Sequence, residues 1–114
     1  MSDTGEKDLK MIIDDLQQGG RIYKRFEEIL PRHLGVRNRI RIFRAVDPSG
    51  YFTALFLIEQ KSRILMKDVL KMEEIYRKLA IYCDHNFKYK LIRIEAPLCS
   101  KAERAFVDAG WKLL

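Results

Sequence analysis

The chain has 114 residues, of which 47% are hydrophobic and 33% charged, and its net charge is +6 at pH 7. These values predict a single soluble, folded domain (residues 1–114) and exclude a disordered chain. They also exclude a membrane protein, since no apolar run approaches the roughly 20 residues of a spanning helix. Two cysteines are too few for a disulfide framework and the first ten residues are too polar for a secretory signal, so we expect a cytoplasmic protein.

The first third of the chain predicts two helices. Residues 5–17 carry apolar side chains at helical spacing. Residues 21–30 repeat that spacing up to Pro31, which cannot continue a helix. Residues 21–25 are also compatible with an extended conformation.

A β-hairpin follows. Residues 39–42 alternate strictly between Arg and Ile, which predicts a strand with one polar and one apolar face. Residues 47–50, Asp-Pro-Ser-Gly, form a strong turn signal. Residues 51–58 are almost wholly apolar and predict a strand buried on both faces, in the middle of a sheet.

The last half of the chain predicts a helix at residues 64–85, a strand at 90–96, a helix opened by a capping box at residues 100–103, and a short final strand after Gly110. The crossover between the two longer strands should be right-handed and parallel. The predicted fold class is α/β, at the α+β boundary. We expect a mixed sheet of three or four strands with helices packed on it, in the order α-α-β-β-α-β-α, with an optional last strand.

The positive charge is concentrated in residues 21–44, which hold eight Lys or Arg against two Glu. Seven of the eight are arginines, whose planar guanidinium groups match phosphate and carboxylate geometry. An aromatic side chain alternates with the arginines on the predicted strand, a pattern suited to gripping phosphates and stacking a base. The candidate nucleic-acid-binding residues are Arg21, Lys24, Arg25, Arg37, Arg39, Arg41, Phe43 and Arg44. The alternative interpretation is that outward charges protect an edge strand from aggregation.

A second candidate site lies at the end of the predicted central strand. Strand alternation puts Glu59 and Lys61 on the same face. A carboxylate able to hold a divalent metal, beside a lysine able to stabilise charge developing on phosphate, is the arrangement used in metal-dependent phosphodiester cleavage.

This stretch resembles the core of the PD-(D/E)XK nucleases, nearest to the Mrr and Holliday-junction resolvase branches. The resemblance covers residues 37–114 and rests on the Ile-Glu-Gln-Lys-Ser run at 58–62, the helix and strand after it, and residues 100–103 leading to 109–114. It implies a Mg²⁺-dependent nuclease with Glu59 and Lys61 in its site.

The family also places a metal-binding Asp on the neighbouring strand. Here the predicted hairpin pairing sets residues 36–39, which contain no carboxylate, opposite residues 58–61. Asp14 or Asp15 of the first helix would have to substitute. Without them, Glu59 near the arginines at 37 and 39 predicts a structural ion pair.

Residues 72–113 are also similar to the C-terminal half of the GNAT acetyltransferase fold. That resemblance implies acetyl-CoA bound on a Gly-rich turn at the start of the long helix, but residues 61–65 contain no glycine.

We therefore expect a small basic domain that is non-catalytic, uses no cofactor and no membrane, and binds an anionic partner, first of all nucleic acid, through residues 21–44. One alternative is a metal-dependent nuclease using Glu59, Lys61 and Mg²⁺. The others are a protein-interaction domain that binds an acidic partner or forms a homodimer, and a GNAT-like acyltransferase.

Overall fold

The computed structural model describes Asp14, residues 23–37 and residues 39–114. The predicted first helix lies outside these residues except at Asp14, which is helical and exposed. Arg21 and Asp15 also lie outside them.

The described residues form one mixed sheet in the strand order β1-β2-β3-β4-β5. The strands are β1 (Arg25–Ile29), β2 (Ile40–Val46), β3 (Phe52–Glu59), β4 (Tyr89–Glu95) and β5 (Trp111–Leu113). The first three pair antiparallel, whereas β4 runs parallel to β3 and β5 parallel to β4. The predicted fold class is confirmed, with five strands rather than three or four.

The predicted second helix is wrong, because its C-terminal part is β1. Residues from Arg25 to Ile29 pair with β2 from Val46 to Ile42, and their side chains alternate between more and less exposed positions. Apolar spacing compatible with a helix is a weak local preference that strand pairing overrides. Pro31 then opens a short 3-10 helix (Pro31–Leu34) instead of ending a longer one.

Two α-helices connect the parallel strands, α1 (Met66–Cys83) and α2 (Ser100–Asp108). The capping box predicted at residues 100–103 is wrong, because the N-cap of α2 is Cys99, whose Sγ accepts the Ala102 N–H at 3.4 Å. Within the described part of the chain, no helix is both long and apolar enough to cross a membrane.

The sheet is buried on both faces at its centre. On the helix side, Phe56 and Ile92 pack with Phe106 of α2 in the larger core. On the other side, Phe43, Leu55 and Leu91 form a smaller apolar cluster. Successive side chains of β3 are therefore buried on opposite faces of the sheet, which confirms the prediction made from its unbroken apolar run.

The β2–β3 register places the candidate site. Ile40 pairs with Ile58 and Val46 with Phe52, within one residue of the predicted pairing. Continuing this register by one residue sets Arg39 opposite Glu59, at the end of the sheet where β3 and β4 present their carboxyl ends.

Candidate nuclease-like site

The carboxyl end of β3 opens into a cleft of about 600 Å³, which we call the β3 cleft. Its polar lining consists of Arg39 just before β2, Glu59 at the end of β3, Gln60 and Lys61 just after it, and Asp68 from α1. Its floor is apolar because the adjoining ends of β2, β3 and α1 are parts of the core. A charged rim over an apolar floor suits a site that binds a polar ligand at one end of a sheet.

Glu59 is the last residue of β3 and is exposed. Among the described residues, Glu59 forms no ion pair, and neither Arg37 nor Arg39 is its partner. The predicted structural ion pair is therefore wrong. An exposed ion pair gains little over solvation by water, so an exposed Glu59 need not pair with a nearby arginine. Among the described residues, no cation competes with a ligand for its carboxylate.

A second carboxylate lies beside Glu59 on the neighbouring strand. The parallel register pairs Glu59 with Glu95, so the two side chains share a face at a spacing of about 4.8 Å between strands. Glu95 is held by Arg93, whose Nε lies 3.3 Å from its Oε1. The two residues are neighbours because the parallel crossover brings the carboxyl ends of β3 and β4 to one edge of the sheet.

Asp68 is the site residue that sequence reasoning missed. It lies in the first turn of α1, where one carboxylate oxygen accepts the Leu65 backbone N–H at 2.8 Å, and it lines the same cleft as Glu59 and Lys61. The available signal was its position just after the strand-to-helix connection. An acidic residue in the first turn of a helix, however, is equally well explained by its favourable interaction with the helix dipole.

Lys61 follows β3 in a connection that is itself hydrogen bonded. The side-chain amide of Gln60 donates to the Ser62 carbonyl oxygen and to its hydroxyl, both at 3.0 Å. Its backbone N–H donates to the Glu95 carbonyl at 3.2 Å, which extends the β3–β4 ladder by one residue. These contacts position the residue before Lys61.

The donor set fits a divalent cation shared with a substrate. None of the described residues form a cluster of three or more His, Cys, Asp or Glu side chains suited to a metal ion. Mg²⁺ is usually held by one or two carboxylates, with water and substrate phosphate completing its octahedron. Glu59 and Asp68, which both line the β3 cleft, are two such carboxylates.

The predicted arginine block does not form a single surface. Arg21 lies outside the described residues. Lys24, Arg25, Arg37 and Arg39 are exposed and have no ion-pair partner among the described residues. They remain available to an anion.

Arg41 and Arg44, in contrast, are bound by acids of the neighbouring strand. Arg41 donates from Nε and Nη2 to the two carboxylate oxygens of Glu28, each at 3.0 Å. Arg44 donates from Nε to Glu27 at 2.6 Å. Because each guanidinium has a carboxylate of the fold beside it, these two predicted nucleic-acid contacts are largely neutralised.

Phe43 is fully buried and cannot stack a base, so its predicted role is corrected. Strand alternation does place it beside Arg41, whose guanidinium carbon lies 5.2 Å from its ring centroid. On the face that they share, Phe43 packs with Leu55 and Leu91, and Tyr23 and Phe26 pack against this cluster. A period-two pattern indicates which residues share a face, but not whether that face is open.

Three solved structures resemble this fold. The apo form of EndoMS matches with a TM-score of 0.60 and 14% identity, over 95% of this chain and 44% of that one. A repair endonuclease from Pyrococcus abyssi matches with a TM-score of 0.53 and 16% identity, over 95% and 45%. The EndoMS–dsDNA2 complex matches with a TM-score of 0.50 and 14% identity, over 96% and 44%.

The chain thus spans less than half the length of these neighbours. At such identities the likeness establishes the fold alone. A scan against protein-family models and a search of curated proteins find no match.

These neighbours revise the functional expectations. The expectation of a domain without a cofactor is wrong, because repair endonucleases such as these typically use a divalent metal. The homodimer, the acidic protein partner and the cytoplasmic location stay predictions.

Proposed function

We propose that this chain is a nuclease-like domain that binds nucleic acid at the β3 cleft and cleaves a phosphodiester bond with a divalent metal. One observation carries the proposal. Glu59 and Lys61 are exposed and line the same cleft at the end of the central strand, in a fold similar to that of repair endonucleases.

Each residue of the cleft has a role that its chemistry allows. Glu59 and Asp68 would hold the metal, with water and substrate phosphate completing its coordination. A bound Mg²⁺ would polarise a phosphate oxygen and lower the pKa of an attacking water. Lys61 would neutralise the charge that develops on the phosphoryl oxygens.

Phosphate contacts outside the reacting group would come from cations that have no ion-pair partner among the described residues. Arg39 lines the β3 cleft, and Arg37 is exposed just before it in the chain. Such contacts position a nucleic acid without reading its sequence and weaken as salt is added. We therefore expect a substrate preference set by nucleic-acid structure rather than by base sequence.

The test is cleavage of end-labelled single-stranded, duplex and branched DNA and RNA with Mg²⁺, with Mn²⁺ or with EDTA. We expect metal-dependent cleavage that falls by at least about 100-fold in Glu59→Gln and in Lys61→Ala. Matched controls are Glu103→Gln and Lys101→Ala, which make the same changes at exposed positions of α2.

Two results would contradict the proposal. If the Glu59→Gln variant still cleaves, the activity comes from a contaminant and not from this site. If the protein binds nucleic acid in a salt-sensitive way but cleaves no substrate with either metal, it is a binding domain and the proposed catalysis is rejected.

A further inference from the structure

A second group of chemically distinctive side chains lies at the other end of β3. Tyr51 precedes that strand, Lys88 precedes its neighbour β4, and Tyr89 is the first residue of β4; we call these three residues the tyrosine–lysine cluster. The tyrosines keep 47% and 44% of their surface exposed. The Lys88 ammonium lies 3.5 Å from the ring centroid of Tyr51 and 5.6 Å from that of Tyr89.

The sheet holds this cluster in place. The Lys88 N–H donates to the Phe52 carbonyl at 2.9 Å, and Tyr89 pairs with Thr53 in the β3–β4 ladder. The Tyr51 N–H donates to the Asp47 carboxylate at 2.9 Å, and its carbonyl accepts the Asp47 N–H at 3.0 Å. Both tyrosines are therefore attached to backbone that is held by hydrogen bonds at the ends of the strands.

Neither packing nor ion pairing accounts for the cluster. Aromatic side chains contribute most to stability when buried, yet nearly half of each tyrosine faces solvent. Lys88 has no carboxylate partner among the described residues. An ammonium beside two partly exposed aromatic rings supplies both contacts that single-stranded nucleic acid needs, a charge for phosphate and a surface for stacking.

The position of the cluster separates it from the β3 cleft. The eight residues of β3 span about 23 Å, so the two sites contact different parts of a ligand. Lys24 is exposed at the start of β1, where its N–H donates to the Val46 carbonyl. It lies three strands from β4, or about 14 Å across the sheet, and adds a second cation along this end.

We propose that the tyrosine–lysine cluster binds a single-stranded nucleic-acid segment, with a base stacked on Tyr51 or Tyr89 and a phosphate beside Lys88. Duplex bases present no free faces, so the cluster selects single strands, such as a tail or an opened end next to the cleaved region. The inference rests on the proposed function only in taking nucleic acid as the ligand.

The experiment measures fluorescence anisotropy of a labelled eight-nucleotide thymidine oligomer and of a 12-base-pair duplex, in EDTA so that no cleavage occurs. We expect the double variant Tyr51→Ala with Tyr89→Ala to bind the oligomer about 5- to 150-fold more weakly and the duplex unchanged. The matched control is Tyr82→Ala, which removes an exposed tyrosine of α1.

Two further variants separate stacking and charge from folding. Replacing both tyrosines by Phe keeps the rings and should retain oligomer binding. Lys88→Ala should lower the salt slope of oligomer binding by about 0.7, while Lys101→Ala leaves it unchanged.

Three outcomes overturn the inference: Ala variants that bind the oligomer as the Tyr82→Ala control does, Phe variants that lose binding like the Ala variants, or wild-type protein that does not bind the oligomer at low salt. The cleavage assay of Glu59→Gln judges the proposed function separately, so failure of one does not imply failure of the other.

Discussion

Lys90→Met is expected to lower the free energy of unfolding by about 3 kcal/mol. Only 15% of the Lys90 side chain is exposed, and its ammonium donates to the Ala109 carbonyl at 2.7 Å, at the end of α2. It also lies 3.5 Å from a carboxylate oxygen of Glu73, and 4.6 Å and 4.9 Å from the ring centroids of Tyr76 and Trp111. One charge therefore ties the end of α2 to α1 and β5.

The magnitude follows from these contacts. A hydrogen bond from a charged donor contributes about 1.5–3 kcal/mol, and a largely desolvated cation over aromatic rings contributes about 0.5–2 kcal/mol. Met has an unbranched stem of similar length, so apolar packing is largely kept and no large cavity forms. Glu73 keeps its hydrogen bond from the Trp111 indole N–H, at 2.5 Å, which limits the loss.

Urea denaturation followed by tryptophan fluorescence measures this change. Lys71→Met is the matched control, because Lys71 also pairs with a glutamate, Glu74, at 2.9 Å, but keeps 40% of its side chain exposed. We expect its stability to equal that of the wild type within error. In a Glu73→Gln background, Lys90→Met should cost less than in the wild type, because one partner of the ammonium is gone.

A loss below about 1 kcal/mol in Lys90→Met, or an equal loss in the two lysine variants, would refute this reasoning. The first result would mean that the ammonium gains no more from the rings and the carbonyl than from water. The second would mean that burial does not decide the strength of these pairs.

Three further predictions follow from the strand pairing and the core. Arg39→Asp places a carboxylate opposite Glu59 and should tighten Mn²⁺ binding in calorimetry roughly tenfold or more; the same gain in Arg25→Asp, on the exposed end of β1, would contradict the pairing. Phe43→Ala should lower the free energy of unfolding by about 3–5 kcal/mol in urea denaturation. If Phe43 were instead an exposed, ligand-binding side chain, the substitution would leave stability unchanged. Burial raises the pKa of the Cys83 thiol, so its contribution to stability is full below the unfolded pKa of about 8.5 and declines as pH rises through the folded value. Melting temperatures between pH 7 and 10 should then fall more steeply in the wild type than in Cys83→Ala, and equal slopes would reject that assignment.

The central strand and its end were predictable because their signals are local. An apolar run after an Asp-Pro-Ser-Gly turn predicts a buried strand of limited length, and β3 occupies Phe52–Glu59. Since Glu59 ends that strand and Lys61 comes two residues later, their common location needed only the strand period. The helix after them follows from its 3.6-residue spacing, and the structure differs from that prediction by two residues at each end.

The arginine block shows how an error in one element carries over to a site. Glu27 and Glu28 lie in the segment predicted as a helix, but in β1 they stand beside β2. There they bind Arg44 and Arg41. A helical assignment hides both ion pairs, because cross-strand neighbours are adjacent in space and distant in sequence.

By itself, the sequence determined the fold class, the buried central strand and the glutamate and lysine at its end, because periodicity and turn residues act over a few positions of the chain. Tertiary structure alone decided which charges remain free. It paired Glu28 with Arg41, buried Phe43, left Glu59 without an ion pair in the described chain and brought Asp68 into the same cleft. Whether a side chain meets a partner, a core or water depends on residues that only strand pairing and helix packing bring near, and no local pattern records them.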